Sequence, residues 1–554
     1  MKKAGWLFLF FLGILIPDYS WAVELTLGGY PSYFRIRPQF YQDSTFIGAL
    51  DKNTAKQLGL NSANDRIFFV DSRLRLTPEL RLSENVLIRA QVDVMDNVIW
   101  GGANSALERD VVFESLTPGD RFRGAILAGP VSVTVLSTGI FGNTLSPFRG
   151  RPPFDPAGGI GSNGFVGDDR NQYFNARMFH VDLLIPNIGY IRVGRQSYDF
   201  GLGILYNSGT DPYSDLGFIV DRLGYLAVFP LAGGNFSFGI ALDRLVQGTT
   251  LIAGQGDGWE VGSLLEWARG HFKVAGYIFP YAVQKHFAGT AADTRSFTSA
   301  LFTEYKTDLF RFAFEIDDIF GKVTHAREAF STPTFTFPTD EIKVKPSNLV
   351  FAGRAEVYPG FPINIAAVEF GFAKGDKING PSNPNIEGNA ITFSPAYNID
   401  NLLFKHIIPT IYGLEGSVIN ASYVRGWTTA RLADRVLFTP QVLFAWNDER
   451  QALLTPDPIT GASNKVGKFL GAEIEGTLTI KVLPNVNFDF IGSVVISGSG
   501  LRDLQEQRAS LEVNNAAISR GEPPLTTPSD FSAPRVPFSF QGRLLVFIDQ
   551  FFKK

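Results

Sequence analysis

The chain has 554 residues, 45% hydrophobic and 19% charged, with a formal net charge of −4. So small a charge argues against a generally nucleic-acid-binding chain, and the absence of cysteine excludes disulfides, zinc–thiolate sites and thiol catalysis. Phenylalanine (50) and glycine (56) are abundant, yet after residue 22 no run approaches the ~18 uninterrupted apolar residues of a membrane helix.

Lys2 and Lys3 precede an apolar stretch from Ala4 to Pro17, and Ser20-Trp21-Ala22 offers small residues at the positions a signal peptidase reads. The pattern predicts a signal peptide over 1–22, cleaved after Ala22, and one domain over 23–554. An exported, Phe- and Gly-rich chain is either a secreted all-β protein or a membrane barrel.

Alternation is the main signal. Val86, Ile88, Ala90, Val92 and Val94 interleave with Leu87, Arg89, Gln91 and Asp93. Further on, Phe236, Phe238, Ile240 and Leu242 interleave with Ser237, Gly239, Ala241 and Asp243. Period two places one set on each face of a strand. In chain order the pattern predicts 18 strands, many near the ~9–11 residues of a tilted bilayer-crossing strand. They fall at 31–40, 67–80, 86–95, 173–185, 190–199, 219–229, 235–245, 258–267 and 271–282. The second half has 295–305, 309–318, 348–357, 362–373, 414–424, 436–446, 468–480, 486–496 and 538–549.

Short links such as Pro186-Asn187-Ile188-Gly189, Ala268-Arg269-Gly270 and Lys306-Thr307-Asp308 alternate with long polar segments. The longest are 96–172, 374–413 and 497–537. A soluble sandwich has no reason to keep that rhythm, whereas an even-stranded transmembrane antiparallel β-barrel has short periplasmic turns and long extracellular loops. The 96–172 loop, which contains a possible short strand over Val131–Leu136, is the expected inward-folding segment. A polar helix from Leu501 to Arg520 is the second candidate for a plug or cap.

Motifs for other chemistries are weak. Gly159-Ile160-Gly161-Ser162-Asn163-Gly164 fits GxGxxG but follows a Pro/Gly loop rather than a strand, so loop glycines are the better reading. His180 and Asp182 share a strand face without a nucleophile at recognisable spacing. Asp168, Asp169 and Asn171 offer oxygen ligands for calcium, although a solvated acidic loop explains them as well. No GxSxG, HExxH or P-loop occurs, and no cofactor or catalytic residue is assigned.

Phe34-Arg35-Ile36-Arg37-Pro38, Arg73-Leu74-Arg75-Leu76-Thr77-Pro78-Glu79-Leu80 and Gly194-Arg195-Gln196-Ser197-Tyr198-Asp199-Phe200-Gly201 are familiar from porin-like barrels. With them, the chain resembles the outer-membrane porin superfamily, most of all the alginate-export-type 18-stranded barrels. The C-terminal Phe538, Phe540, Leu544, Val546 and Ile548 row is similar to the strand that barrel-assembly machinery recognises, apart from Lys553 and Lys554. The resemblance implies a conduit in the bacterial outer membrane, in contact with lipid and lipopolysaccharide, and carries over no substrate residue.

The informative constellation is inward-facing charge. If Phe34, Ile36, Leu74 and Leu76 face lipid, then Arg35, Arg37, Arg73 and Arg75 point inward, because a charge facing lipid at midplane costs ~2–4 kcal/mol. Arg89, Asp93, Arg192, Arg311, Glu315, Arg354, Glu356, Glu473, Glu475 and Arg543 have similar placement. The first three strands are basic and the sixteenth and seventeenth acidic. These residues are expected either to line a pore with a basic face or to fill the wall as ion pairs. The expected function is a porin-like channel for small hydrophilic solutes, anionic ones included. Alternatives are an exporter of an acidic polysaccharide, a closed structural or adhesive barrel, and an outer-membrane enzyme.

Overall fold

Side chains that alternate in polarity leave a strand with one face for water and one for apolar surroundings, and the backbone must still pair along both edges. The computed structural model shows how this chain meets both demands. It describes residues 24–27, 29–42, 66–99, 174–186, 188–215, 217–245, 258–284, 292–326, 341–344, 347–375, 392–394, 396–408, 411, 417–450, 466–507 and 536–549.

The ladder starts with β1 (Glu24–Leu27), β2 (Tyr33–Gln42), β3 (Arg66–Leu76), β4 (Pro78–Ser83), β5 (Val86–Ile99), β6 (Phe174–Ile185) and β7 (Gly189–Ser197). Next come β8 (Ile219–Leu231), β9 (Gly234–Leu245), β10 (Gly258–Arg269), β11 (Phe272–Gln284), β12 (Ala292–Lys306), β13 (Phe310–Ala326) and β14 (Glu341–Val344). The last are β15 (Ser347–Val357), β16 (Ile363–Ala373), β17 (Ala421–Ala433), β18 (Val436–Asn447), β19 (Phe469–Leu483), β20 (Val486–Ser497) and β21 (Phe538–Phe547). All pairings are antiparallel, and β2 pairs with β21, so the sheet closes on itself. β1 and β4 continue the staves of β2 and β3, and β14 and β15 both pair with β13. The result is the expected closed barrel of 18 staves.

Three elements differ from expectation. The strand expected over 67–80 is broken at Thr77, because Pro78 brings no N–H to the ladder. Ser32 fills the gap: its hydroxyl accepts from Thr77 N at 2.9 Å and bonds Thr77 Oγ1 at 2.8 Å. The strand expected over 414–424 runs instead from Ala421 to Ala433 and turns at Asp434-Arg435. Ser417 to Ile419 are diverted to pair with Thr392 and Phe393, and Asn420, at φ 47°, makes the bend that enters the strand. The stave expected over 309–318 extends to Ala326. Helix is present over 499–507; the rest of 501–520 lies outside the described residues, as do the 1–22 segment, 131–136, the GxGxxG glycines and Asp168, Asp169 and Asn171.

The outer surface is apolar in register. Phe370, Val424 and Phe444 are exposed side by side on β16, β17 and β18, and Ile474 lies between Val442 and Val494. Such a band is unfavourable in water and suited to hydrocarbon. The interior is divided. Small or aromatic residues of β11 to β18 face inward, among them Ala275, Tyr277, Ala300, Phe302, Ala313, Ala352 and Tyr423. They pack on Ile204, Leu205, Tyr206, Leu402, Leu403, Phe404 and Ile407, which come from two segments between strands. The barrel therefore carries a hydrophobic core inside its own lumen, and polar side chains fill the opposite wall.

Replacing Ile474, 50% exposed, by Arg should destabilise the lipid-embedded barrel by roughly 2–4 kcal/mol if the position lies at midplane. Denaturant unfolding in lipid vesicles measures this, and Ile474→Leu should stay near the parent value.

Candidate functional site

Two segments enter the lumen: 198–218, between β7 and β8, and the described part of 392–420, which leads into β17. The expectation of an inward 96–172 loop falls almost wholly outside the described residues. Each observed segment is held by wall chemistry of opposite sign.

The first is held by guanidinium groups. Arg35 donates to the Pro212 carbonyl at 2.9 Å and to Asp215 Oδ1 at 2.7 Å. Arg37 grips Asp215 with two nitrogens, both at 2.9 Å, and donates from Nε to Asp71 at 3.0 Å. Arg73 donates to the carbonyls of Ser214 and Asp215, at 2.8 and 3.0 Å. Arg75 forks onto Asp93 at 2.6 and 2.7 Å and also donates to the Gly209 carbonyl at 3.1 Å. The alternating burial along β2 puts Arg35 and Arg37 on the inner face, and Arg35, Arg73 and Arg75 are 0% exposed. The inward expectation for these four thus meets a closed arrangement, in which the segment lies over them. Planar guanidinium suits this work, because it can serve a carboxylate and backbone carbonyls together.

The second segment is held by carboxylates. Glu473 accepts from Leu403 N at 2.7 Å and Asn401 N at 3.2 Å, while Asp400 accepts from Phe404 N at 2.8 Å and Lys405 N at 3.1 Å. These acceptors serve the N–H groups of a π-helical turn, Leu403–Ile407, whose leading N–H groups have no partner within the turn itself. Burial pushes the Asp400 carboxyl up to about 7 against donation from Phe404 N–H. Glu475 is only half-buried beside it and takes a long bond from Thr477.

The two segments also hold each other. Ser394 N donates to the Ile204 carbonyl at 2.6 Å, and Lys405 Nζ lies 3.9 Å from Asp215. Burial lowers the Lys405 ammonium to about 8, although Asp215 favours its charge. Burial alone would raise the Asp215 carboxyl, but Arg37 and Arg35 hold it well below the usual carboxylate range. His406 bonds the Tyr41 hydroxyl at 2.8 Å, and burial together with Lys405 and Arg37 keeps it neutral.

The other expected residues form wall pairs. Asp182 takes Arg192 at 2.6 Å and Arg89 at 3.2 Å, and Arg89 also reaches Glu79 at 2.6 Å. His180 is 3.8 Å from Asp182, whose oxygens already serve those arginines. Arg311 pairs with Glu304 at 2.5 Å and with Glu356 at 3.5 Å. Arg354 meets Glu369 at 2.6 Å and the Tyr397 hydroxyl at 3.0 Å. Arg543 lies 3.6 Å from Asp489 and stacks 4.4 Å above the Tyr213 ring. Glu315 accepts from the Leu202 and Gly203 amides.

Sequence reasoning missed Asp71, Arg177, Asp215, Glu369, Lys405 and Arg425. Arg177, Glu369 and Arg425 had the parity signal, since each occupies the buried face of a strand. Asp215 and Lys405 had none, because they lie in segments without a period. Around Asp71, Asp93 and Asp215 stand Arg35, Arg37, Arg73, Arg75, Arg177 and Lys405, six cationic groups within 4.0 Å of three carboxylates. Positive charge is in surplus there among the described residues.

Asp215→Asn removes one of the two carboxylates that Arg35 and Arg37 share, leaving them Asp71, and should cost about 3 kcal/mol. The Asp215 carboxyl is depressed in the folded state, so its contribution is full above about pH 4 and is lost as pH falls through the depressed value. Unfolding midpoints between pH 7 and pH 2 should therefore fall for the parent and start lower but flatter for the variant.

No protein-family model and no curated protein matches the chain. Among solved structures it is similar to the anion-selective porin from Comamonas acidovorans, at 11% identity over 95% of this chain and 99% of that one, TM-score 0.36. It is also similar to OccAB3 of Acinetobacter baumannii, at 8% identity over 94% and 98%, TM-score 0.43. A third is Pseudomonas aeruginosa OccK2 (OpdF) in complex with glucuronate, at 8% identity over 94% and 98%, TM-score 0.41.

Proposed function

We propose that the chain is a passive outer-membrane channel for small hydrophilic solutes, with a bias toward anions. The observation that carries this reading is the narrowing of a closed, externally apolar barrel by two inward segments beside a wall where, among the described residues, six cations lie within 4.0 Å of three carboxylates. A surplus of fixed positive charge in a confined lumen is less screened than on an open surface, and it concentrates anions along the path. Arg35, Arg37, Arg73 and Arg75 then have two roles: they anchor the 209–215 stretch and supply the field. The same apolar filling, with Leu205, Phe404 and Ile407 in the lumen, favours small solutes over a polysaccharide chain. Lipid and lipopolysaccharide are the surroundings of the outer band on this reading, and barrel-assembly machinery inserts it.

The test is a planar-bilayer recording of the full-length protein under a KCl gradient. The reversal potential should indicate preference for chloride, and high salt on both sides should reduce it. Arg73→Gln should move the reversal potential toward cations, with heat-modifiable migration on gels confirming the folded barrel. Anion preference should also weaken as pH rises through about 8, where Lys405 loses its proton. A folded, inserted barrel with no conductance would retire the channel reading in favour of a closed structural or adhesive barrel.

A further inference from the structure

Glu315 and Asp317 are two residues apart on β13, so one strand points both into the barrel. Both are 0% exposed. Glu315 meets the 198–218 segment directly, accepting from Gly203 N at 3.0 Å and from Leu202 N. Gly201 makes that approach possible. Its φ is +58°, and a Cβ there would lie 2.5 Å from Glu315 Oε2.

Asp317 lies between Ala300 and Val350 of the flanking strands. Both its oxygens, and Glu315 Oε1, are covered and have no donor from any other group among the described residues. The two carboxyls are within hydrogen-bond contact of each other. The titratable groups that act on them are Tyr198 and Tyr206 of the inward segment and Tyr397 of the second segment. The cation on the flanking face of β15 is Arg354, two residues from the Ala352 that pairs with Glu315, and it is engaged with Glu369 and the Tyr397 hydroxyl. Two acceptors in contact, walled by apolar side chains and closed to water, are compatible only when a proton lies between them.

We propose that Glu315 and Asp317 share one proton in a carboxyl pair that latches the 198–218 segment into the lumen and lets it go when that proton is lost. The step is a simple ionisation. The shared O–H bond breaks, the proton passes to solvent base, and two adjacent carboxylates remain in an apolar pocket. Their repulsion and need for water are relieved by displacing Gly201 to Tyr206 from the wall. The latch concerns the seating of a segment, so it holds or falls independently of conduction.

The natural chain has no cysteine, which makes a single reporter clean. Leu205→Cys places a thiol on the buried, lumen-packed part of the segment. The folded full-length protein is labelled with a water-soluble maleimide between pH 6.5 and 9, with and without Asp317→Asn. Dividing the two rates at each pH cancels the thiol's own ionisation. Asn cannot ionise and can donate to Glu315, so the expected ratio is near one at pH 6.5 and at least tenfold at pH 9. Lys405 titrates in the same range but is unaltered in both proteins, so it does not change the ratio. Asp317→Leu suits the apolar neighbours and serves if the Asn variant does not fold; it should suppress the rise equally. A ratio that stays within twofold across the range overturns the latch, as does a folded Asp317→Leu protein that keeps the parent's rise.

Discussion

The grip of Arg35 and Arg37 on Asp215 is the interaction on which the lumen depends. A closed antiparallel barrel satisfies its own backbone, but its interior is as large as the stave number dictates, and charged side chains alone would leave it wide and wet. Asp215 brings a neighbouring segment across that space, and the carbonyls of Gly209, Pro212 and Ser214 settle on the guanidinium groups of Arg75, Arg35 and Arg73. The arginines are in turn stabilised by what they hold. Desolvating four guanidinium groups is costly, and bidentate contacts together with carbonyl acceptors offset that cost in a way that a single ion pair would not.

The acidic wall solves the complementary problem. Glu473 presents oxygen from the wall to the amides of Asn401 and Leu403, and Asp400, within the segment itself, caps Phe404 and Lys405, whereas the basic wall presents N–H to carbonyls. Between these two polar anchorages, alanines on β11 to β18 leave room for Leu402, Phe404 and Ile407 to pack against the sheet. Charge on the wall fixes where each segment binds, and side-chain size fixes how closely it lies.

What was legible in the sequence follows from periodicity. A strand must alternate if one face meets hydrocarbon, so the 18 staves and the inward parity of Arg35, Arg73, Arg192 and Glu473 could be read directly. Boundaries were legible only where local chemistry agreed with the period. Pro78 broke a stave that hydrophobicity alone would continue, and Ser417 to Ile419 were apolar enough to pass for the start of β17 while pairing elsewhere. The partners of the arginines were not legible. Asp215 and Lys405 come from segments whose course depends on contacts with the wall, and no residue spacing encodes a meeting between positions 35 and 215. Glu315 and Asp317 had the right parity, yet their nearness to the Leu202 and Gly203 amides belongs to the same long-range closure.

The bond from Ser394 N to the Ile204 carbonyl has a consequence for how such a lumen can be altered. Each inward segment uses the other as part of its seat, so the smallest transplantable unit is the pair. Exchanging 198–218 alone with the equivalent stretch of another barrel would remove the acceptor for Ser394 and the counter-charge for Lys405 in one stroke. Variation is therefore easier at the rim, where a change affects one loop, than at this junction, where two distant stretches of chain must change together.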